Sequence, residues 1–170
     1  MIRIHAIQTG IVQVKRAFIR GSVQAGGMLP FLGQLFTDSQ TLDLPVYAWV
    51  IEHPEGVIVV DTGEIAATKI NWITQSRFAI QPEEEIGPQL ARLHITNRDI
   101  RQVVLTHWHG DHIGGREYFQ AARVYLSETE YRYARQFPTR MLVPFPADYH
   151  PQPLAFQPEP VGPFTHSFPL

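Results

Sequence analysis

The stretch Thr106-His107-Trp108-His109-Gly110-Asp111-His112-Ile113-Gly114-Gly115 gathers three imidazoles and one carboxylate within six residues. It follows the apolar run Val103-Val104-Leu105, which reads as a buried strand. Side chains two apart in an extended chain point the same way, so His107 and His109 can face one cation from the strand's end. Asp111 and His112 follow on the turn. Gly110 lets the backbone bend between the two pairs, and Gly114-Gly115 permits close packing where a helix would begin.

Imidazole and carboxylate donors at this spacing suit zinc, which they bind at about 2.0 to 2.2 Å. Manganese, iron or cobalt accept the same donors. A divalent ion so held lowers the pKa of its water to about 7, which provides hydroxide for ester or lactone hydrolysis. The alternative for these residues is a set of surface histidines in a polar turn, or an acid packed on a histidine for structure.

At His107, His109, Asp111 and His112 the sequence resembles the metallo-β-lactamase superfamily, whose signature is His-x-His-x-Asp-His. Upstream, Val57-Ile58-Val59-Val60-Asp61-Thr62-Gly63 looks like that family's strand ending in Asp-Thr-Gly. Ile86-Gly87-Pro88-Gln89-Leu90, Asp99-Ile100 and Val104-Leu105-Thr106 look most like its lactonase branch, which opens acyl-homoserine lactones. The resemblance implies the first half of an αβ/βα sandwich in the α/β class. It implies two zinc ions, one on His107 and His109 and one on Asp111 and His112, with Asp111 as the catalytic group that takes a proton as the ring opens. Asp61 would stand behind the ligands, orienting an imidazole, unless it only closes its turn.

The family's further ligands, a His in a Gly-His motif, a bridging Asp and a last His, have no counterpart downstream. His150 and His166 stand in no such motif. Two catalytic zincs ask for roughly six protein contacts, and the motif offers four. The chain is therefore read as the front half of a hydrolase, residues 1–137, followed by a proline-rich tail or crossover, 138–170. Nine of the 14 prolines lie in that tail. Glyoxalase II-like thioesterases share the layout, and a non-catalytic metal-binding or interaction module derived from the fold is the alternative from another class.

The elements that must position the motif are legible in part. Ile2, Ile4 and Ala6 alternate with Arg3 and His5 as in a strand with one face buried, which puts His5 on the exposed face. Gly10 then separates it from a second strand at Ile11 to Val14. Residues 20–44, rich in glycine and large apolars, read as a long loop that either lines an acyl pocket or only covers the surface. Val46 to His53 and Val57 to Val60 read as adjacent antiparallel strands about Pro54-Glu55-Gly56. Residues 64–82 decide nothing by period. Pro82 with Glu83-Glu84-Glu85 starts a helix that buries Ile86, Leu90 and Leu93; Pro88 limits it unless it falls in the first turn, and His94 is a terminal residue rather than a ligand. Arg116 to Gln120 looks helical and Arg123 to Leu126 extended. Ser127 and Glu130 form a capping box for a helix from about Glu128 to about Gln136.

The 170 residues, 44% hydrophobic and 18% charged, suit one soluble domain. A net charge of -2 provides no basic footprint for nucleic acid or an anionic membrane, and no run approaches the roughly 20 apolar residues of a span. Absence of cysteine excludes disulfides and thiolate metal sites and fits a reducing, cytoplasmic setting. No signal peptide is evident at Met1-Ile2-Arg3-Ile4-His5. The expected substrate is a small ester or lactone. A half-sandwich leaves one apolar sheet face bare, so association with a second copy or a complementary half is expected.

Overall fold

The computed structural model describes residues 1–17, 33, 36–37, 39–137, 139–147 and 149–169, without the side chain of Leu142. Most of the 20–44 segment, and with it the acyl-lining reading, lies outside the described residues. Its last part, from Thr41, is already strand.

Strands alternate with short helices in the order β1 (Arg3–Lys15), β2 (Thr41–His53), β3 (Gly56–Val60), β4 (Ile70–Asn71), β5 (Ser76–Ala79), α1 (Ile86–Arg92), β6 (Ile100–Leu105), α2 (Gly110–Ile113), β7 (Arg123–Ser127), α3 (Glu128–Ala134), α4 (Thr139–Leu142) and β8 (Gln152–Leu154). Among the described residues the strands form one eight-stranded sheet, ordered β4-β5-β1-β2-β3-β6-β7-β8. The β1 to β3 portion is antiparallel, whereas β3, β6, β7 and β8 run parallel.

Several local expectations are corrected by the pairing. Residues 3–15 are one strand, because Gly10 (φ 121°) sits at a register shift between Gln8 and Ile11 and bulges the strand without ending it. A side chain there would collide with Ile80. The uninformative stretch 64–82 contains the hairpin β4-β5, which extends the sheet beyond β1. The expected helix at Pro82 is split into a 3-10 turn, Pro82–Glu84, and α1, with Pro88 in the first turn of α1, where a missing N–H costs nothing. His94 takes a left-handed conformation just past α1 and is exposed. The tail carries a short helix and the edge strand β8, whose Pro153 pairs beside Leu126 at the sheet's margin.

The core lies on one face. Ile7, Ala48, Val50, Val59, Val103, Leu105 and Leu126 pack there against Ile86 and Leu90 of α1 and against Trp108, Ile113 and Phe119. The opposite face is apolar but uncovered: Ile4 is 63% exposed and Trp49 45%, and they share that face with Ile51, Ile58, Val60 and Val104 through the register Ile4↔Ile51, Ile51↔Ile58, Trp49↔Val60 and Val60↔Val104. This reverses the reading of β1. Ile2, Ile4 and Ala6 are exposed, while His5 is half-buried on the helix side and 2.7 Å from Glu52. Alternation located the apolar side of the strand correctly, but the layer that would cover it is not among the described residues.

Candidate metal centre

Leu105 ends β6 in the core, and the chain bends through residues 106–108 before α2 begins with His109, itself extended, at its N-cap. Trp108 is fully buried and stacks on Phe145 at 4.0 Å between ring centres. Trp108 is anchored inward while the half-buried imidazoles on either side of it, His107 and His109, meet each other. The backbone N–H of Trp108 donates to Glu130 Oε1 of α3 at 2.9 Å. That contact revises the capping box: Ser127 Oγ accepts from Glu130 N–H as expected, but the Glu130 carboxylate holds the histidine-bearing segment instead of closing the box.

The predicted residues come together at the mouth of the strand-to-helix turn. His107 Nε2 and His109 Nδ1 are 3.0 Å apart, the His107 and His112 rings lie 4.0 Å centre to centre, and His112 Nε2 is 3.6 Å from Asp111 Oδ2. Asp61 secures the arrangement from behind. Its Oδ1 accepts from Thr106 N–H and its Oδ2 from the Thr106 hydroxyl and His112 Nδ1, each at 2.8 Å. The Thr106 hydroxyl spends its proton on Asp61, so toward His107 Nδ1 at 3.0 Å it can only accept. Both His107 and His112 are thereby driven to carry their proton on Nδ1 and present the Nε2 lone pair, one of the two nitrogens through which an imidazole binds a metal.

Asp61 does this at a cost, since it adopts φ 61°, a left-handed conformation unfavourable for most residues with a side chain. The turn it opens is clamped to α2: Thr62 N–H and Oγ1 both donate to His112 C=O, and Gly115 N–H donates to Gly63 C=O. A side chain at Gly115 would strike the Thr62 carbonyl and one at Gly114 would strike Glu64, which is why both positions are small.

Burial, followed by the neighbouring imidazole charges of His112 and His109, lowers the pKa of His107. Burial and His112 also lower His109. Both are thus kept in the neutral form that can donate a lone pair. Burial pushes His112 the same way, but its bond to Asp61 and the charges of Asp111 and Asp61 outweigh it and raise its pKa.

The donor set fits a divalent ion in type and adjacency. In detail the side chains are slightly too close: two nitrogens sharing a tetrahedral zinc at about 2.0 to 2.1 Å stand roughly 3.3 Å apart, against the 3.0 Å of His107 and His109, which hydrogen-bond to each other. Among the described residues no three His, Asp or Glu side chains stand as a ready-made metal-holding group. His150 and His166 are exposed in the tail and do not join the cluster.

Beside the turn opens a cavity of about 720 Å³ whose wall is largely apolar, with Val12, Val14, Ile70, Ile73 and Phe78 among its lining; His109, Asp111 and Glu64 line it on the side of the motif, and Thr68, Asn71, Thr74 and Ser76 add polar groups. Sequence reasoning missed Glu64, Glu130 and the hydroxyl of Thr106. Only Thr106, adjacent to the motif, carried a positional signal. The others reach the site through pairings that no local pattern encodes.

A mixed sheet with helices on one face and a His-x-His-x-Asp-His turn at the end of a parallel strand define a metallohydrolase-type scaffold. The family model for the metallo-beta-lactamase superfamily matches residues 41–167, and the chain belongs to that superfamily. It is 34% identical over 106 residues to an N-acyl homoserine lactonase, AiiB, of Agrobacterium fabrum, covering 58% of this chain and 38% of that protein. It is 31% identical over 108 residues to an N-acyl homoserine lactonase of Bacillus cereus, covering 58% and 43%. The solved structure of a quorum-quenching N-acyl homoserine lactone hydrolase superposes with a TM-score of 0.61 at 25% identity, covering 83% of this chain and 53% of that one. The chain thus spans less than half the length of these curated relatives. No helix among the described residues is long and apolar enough to cross a membrane.

Proposed function

We propose that this chain carries the nucleophile-activating half of a metal-dependent hydrolase that opens lactones of the acyl-homoserine type. The observation that carries the reading is the gathering of three imidazoles and Asp111, held from behind by Asp61, with His109 and Asp111 opening onto a largely apolar cavity.

In this reading His107 and His109 hold one divalent ion and Asp111 and His112 a second, with zinc the first choice. A bound ion supplies Lewis acidity toward the lactone carbonyl and a water acidic enough to attack at neutral pH. The chain's own residues do the rest. Asp61 and Thr106 hold the imidazole lone pairs forward, and Trp108, tied to Glu130, keeps His107 and His109 on one side. The apolar wall of Val12, Val14 and Phe78 takes the acyl chain and excludes water from it. Asp111, half-buried on the motif side of the cavity, takes up the proton of the attacking water and returns it to the alkoxide as the ring C–O bond breaks.

The motif offers fewer donors than two catalytic ions use, and a superposition that takes up 83% of this chain takes up only 53% of the solved hydrolase. The remaining contacts are assigned to a second layer on the bare sheet face. The test is metal analysis of the purified chain together with lactone opening followed by proton release, repeated on a version extended downstream in its reading frame. About two equivalents of metal with turnover in either form support the proposal. Absence of both metal and turnover from both forms would sink it and leave the non-catalytic module.

A further inference from the structure

Glu64, immediately after the Asp61-Thr62-Gly63 turn, is only 6% exposed. One of its oxygens is engaged by the local backbone fold, since Oε1 accepts from Ile65 N–H at 3.0 Å and from the Thr68 hydroxyl at 3.1 Å. The other, Oε2, has no hydrogen-bond partner among the described residues. It rests on the backbone of Gly110, between His109 and Asp111, where an added methyl group would meet it at 2.6 Å. Glu64, His109 and Asp111 line the same cavity, at the junction between its apolar wall and the metal motif. Glu64 is buried as a residue, yet Oε2 is not among the sealed unpartnered atoms, which among the described residues are Trp108 Nε1 and the Tyr149 hydroxyl, so this oxygen keeps accessible surface. Burial raises the pKa of this carboxyl, the bonds from Ile65 and Thr68 opposing. An apolar side chain would complete the wall at lower cost, and Oε1 alone suffices for the turn.

We infer that Glu64 is a specificity-determining residue: its free Oε2 accepts the N–H of a substrate amide placed between an apolar chain and the ring to be opened. The inference rests on the lactone reading above and deepens it. The acyl chain occupies the apolar wall and the lactone carbonyl faces the histidines, so the intervening amide falls at the position of Oε2. Lactones that carry an alkyl chain without an amide would fill the cavity but leave that oxygen idle.

The experiment measures equilibrium binding to the full chain through the emission of Trp72, an exposed cavity-lining residue. Ring-opened ligands prevent turnover: an N-acyl-homoserine, its N-methylated amide, and a γ-hydroxy acid with an alkyl chain of equal length in place of the acylamino group. The N–H ligand is expected to bind about tenfold more tightly than the other two, the scale of one hydrogen bond to a charged group. Glu64→Leu should abolish this preference by weakening the N–H ligand alone, and Glu64→Gln should keep most of it. Equal affinity of the wild type for all three ligands, or equal weakening of all three by Glu64→Leu, overturns the role of Glu64 and leaves the lactone reading standing. Binding of none of them by the wild type overturns both. If Glu64→Leu does not fold, the N-methyl comparison decides the question on the unaltered protein.

Discussion

Glu130 of α3 accepts the backbone N–H of Trp108 at 2.9 Å, fastening the middle of the His107-Trp108-His109 segment to a helix 22 residues further along the chain. Trp108 is also the largest fully buried side chain. Backbone and ring together fix which way the two flanking imidazoles face.

Glu130→Ala should therefore act on the metal motif without touching a ligand. It leaves a partly buried N–H without its acceptor, at about 1 to 3 kcal/mol, and lets the segment swing. Urea unfolding should register that loss. Metal affinity, read by competition with a chromophoric chelator, should fall by about 10-fold or more, the range for residues supporting a ligand. Unchanged metal affinity would restrict Glu130 to stabilising the helix junction.

Asp61 presents two carboxylate oxygens to three donors, two from Thr106 and one from His112. Asp61→Asn keeps the shape and tolerates the left-handed backbone, but points an amide NH₂ where an acceptor is required. Metal affinity should drop by about 10- to 100-fold, with a smaller change in stability than Asp61→Leu, whose side chain neither accepts these bonds nor tolerates the backbone. Should Asp61→Asn bind metal as the wild type does, Asp61 serves the turn alone.

Glu64 makes stability depend on pH in a direction opposite to that of a salt-bridged acid. Its folded pKa lies above the ordinary value of 4.5 because burial favours the neutral form. Folding therefore tightens its hold on the proton. The stability this provides is complete below the unfolded pKa and is lost as pH rises through the raised folded value. In chelator, to remove metal linkage, urea midpoints of the wild type should decline across that window relative to those of Glu64→Gln. Parallel curves for the two proteins would show that the carboxyl is not desolvated in solution.

Trp49 marks the centre of the uncovered sheet face, with Ile4, Ile51 and Val60 around it. Left without a second layer, the chain is expected to sediment as a species heavier than its 19.4 kDa protomer. Trp49→Glu should shift it toward the monomer while leaving the helix-side core, and hence the unfolding midpoint at low concentration, nearly unchanged. A wild-type chain that sediments as a clean monomer would refute the expectation.

The His-x-His-x-Asp-His cluster was legible because its residues are contiguous: three imidazoles and a carboxylate after an apolar strand depend on local spacing alone. The same holds for the β2-β3 hairpin about Pro54-Glu55-Gly56 and for the Ser127 N-cap, where neighbouring residues make the interaction themselves. What the chain order hides is anything assembled across strands. Asp61 and His112, 51 residues apart, meet because β3 and β6 are parallel neighbours that end together. Glu130 reaches Trp108, and Glu64 reaches Gly110, for the same topological reason. Periodicity recognised an apolar side to β1 but was silent on what covers it, since alternation records the character of a face and not its neighbour. Donor chemistry was thus written in the sequence, whereas tautomer, orientation and the motif side of the cavity were settled by which strands lie side by side.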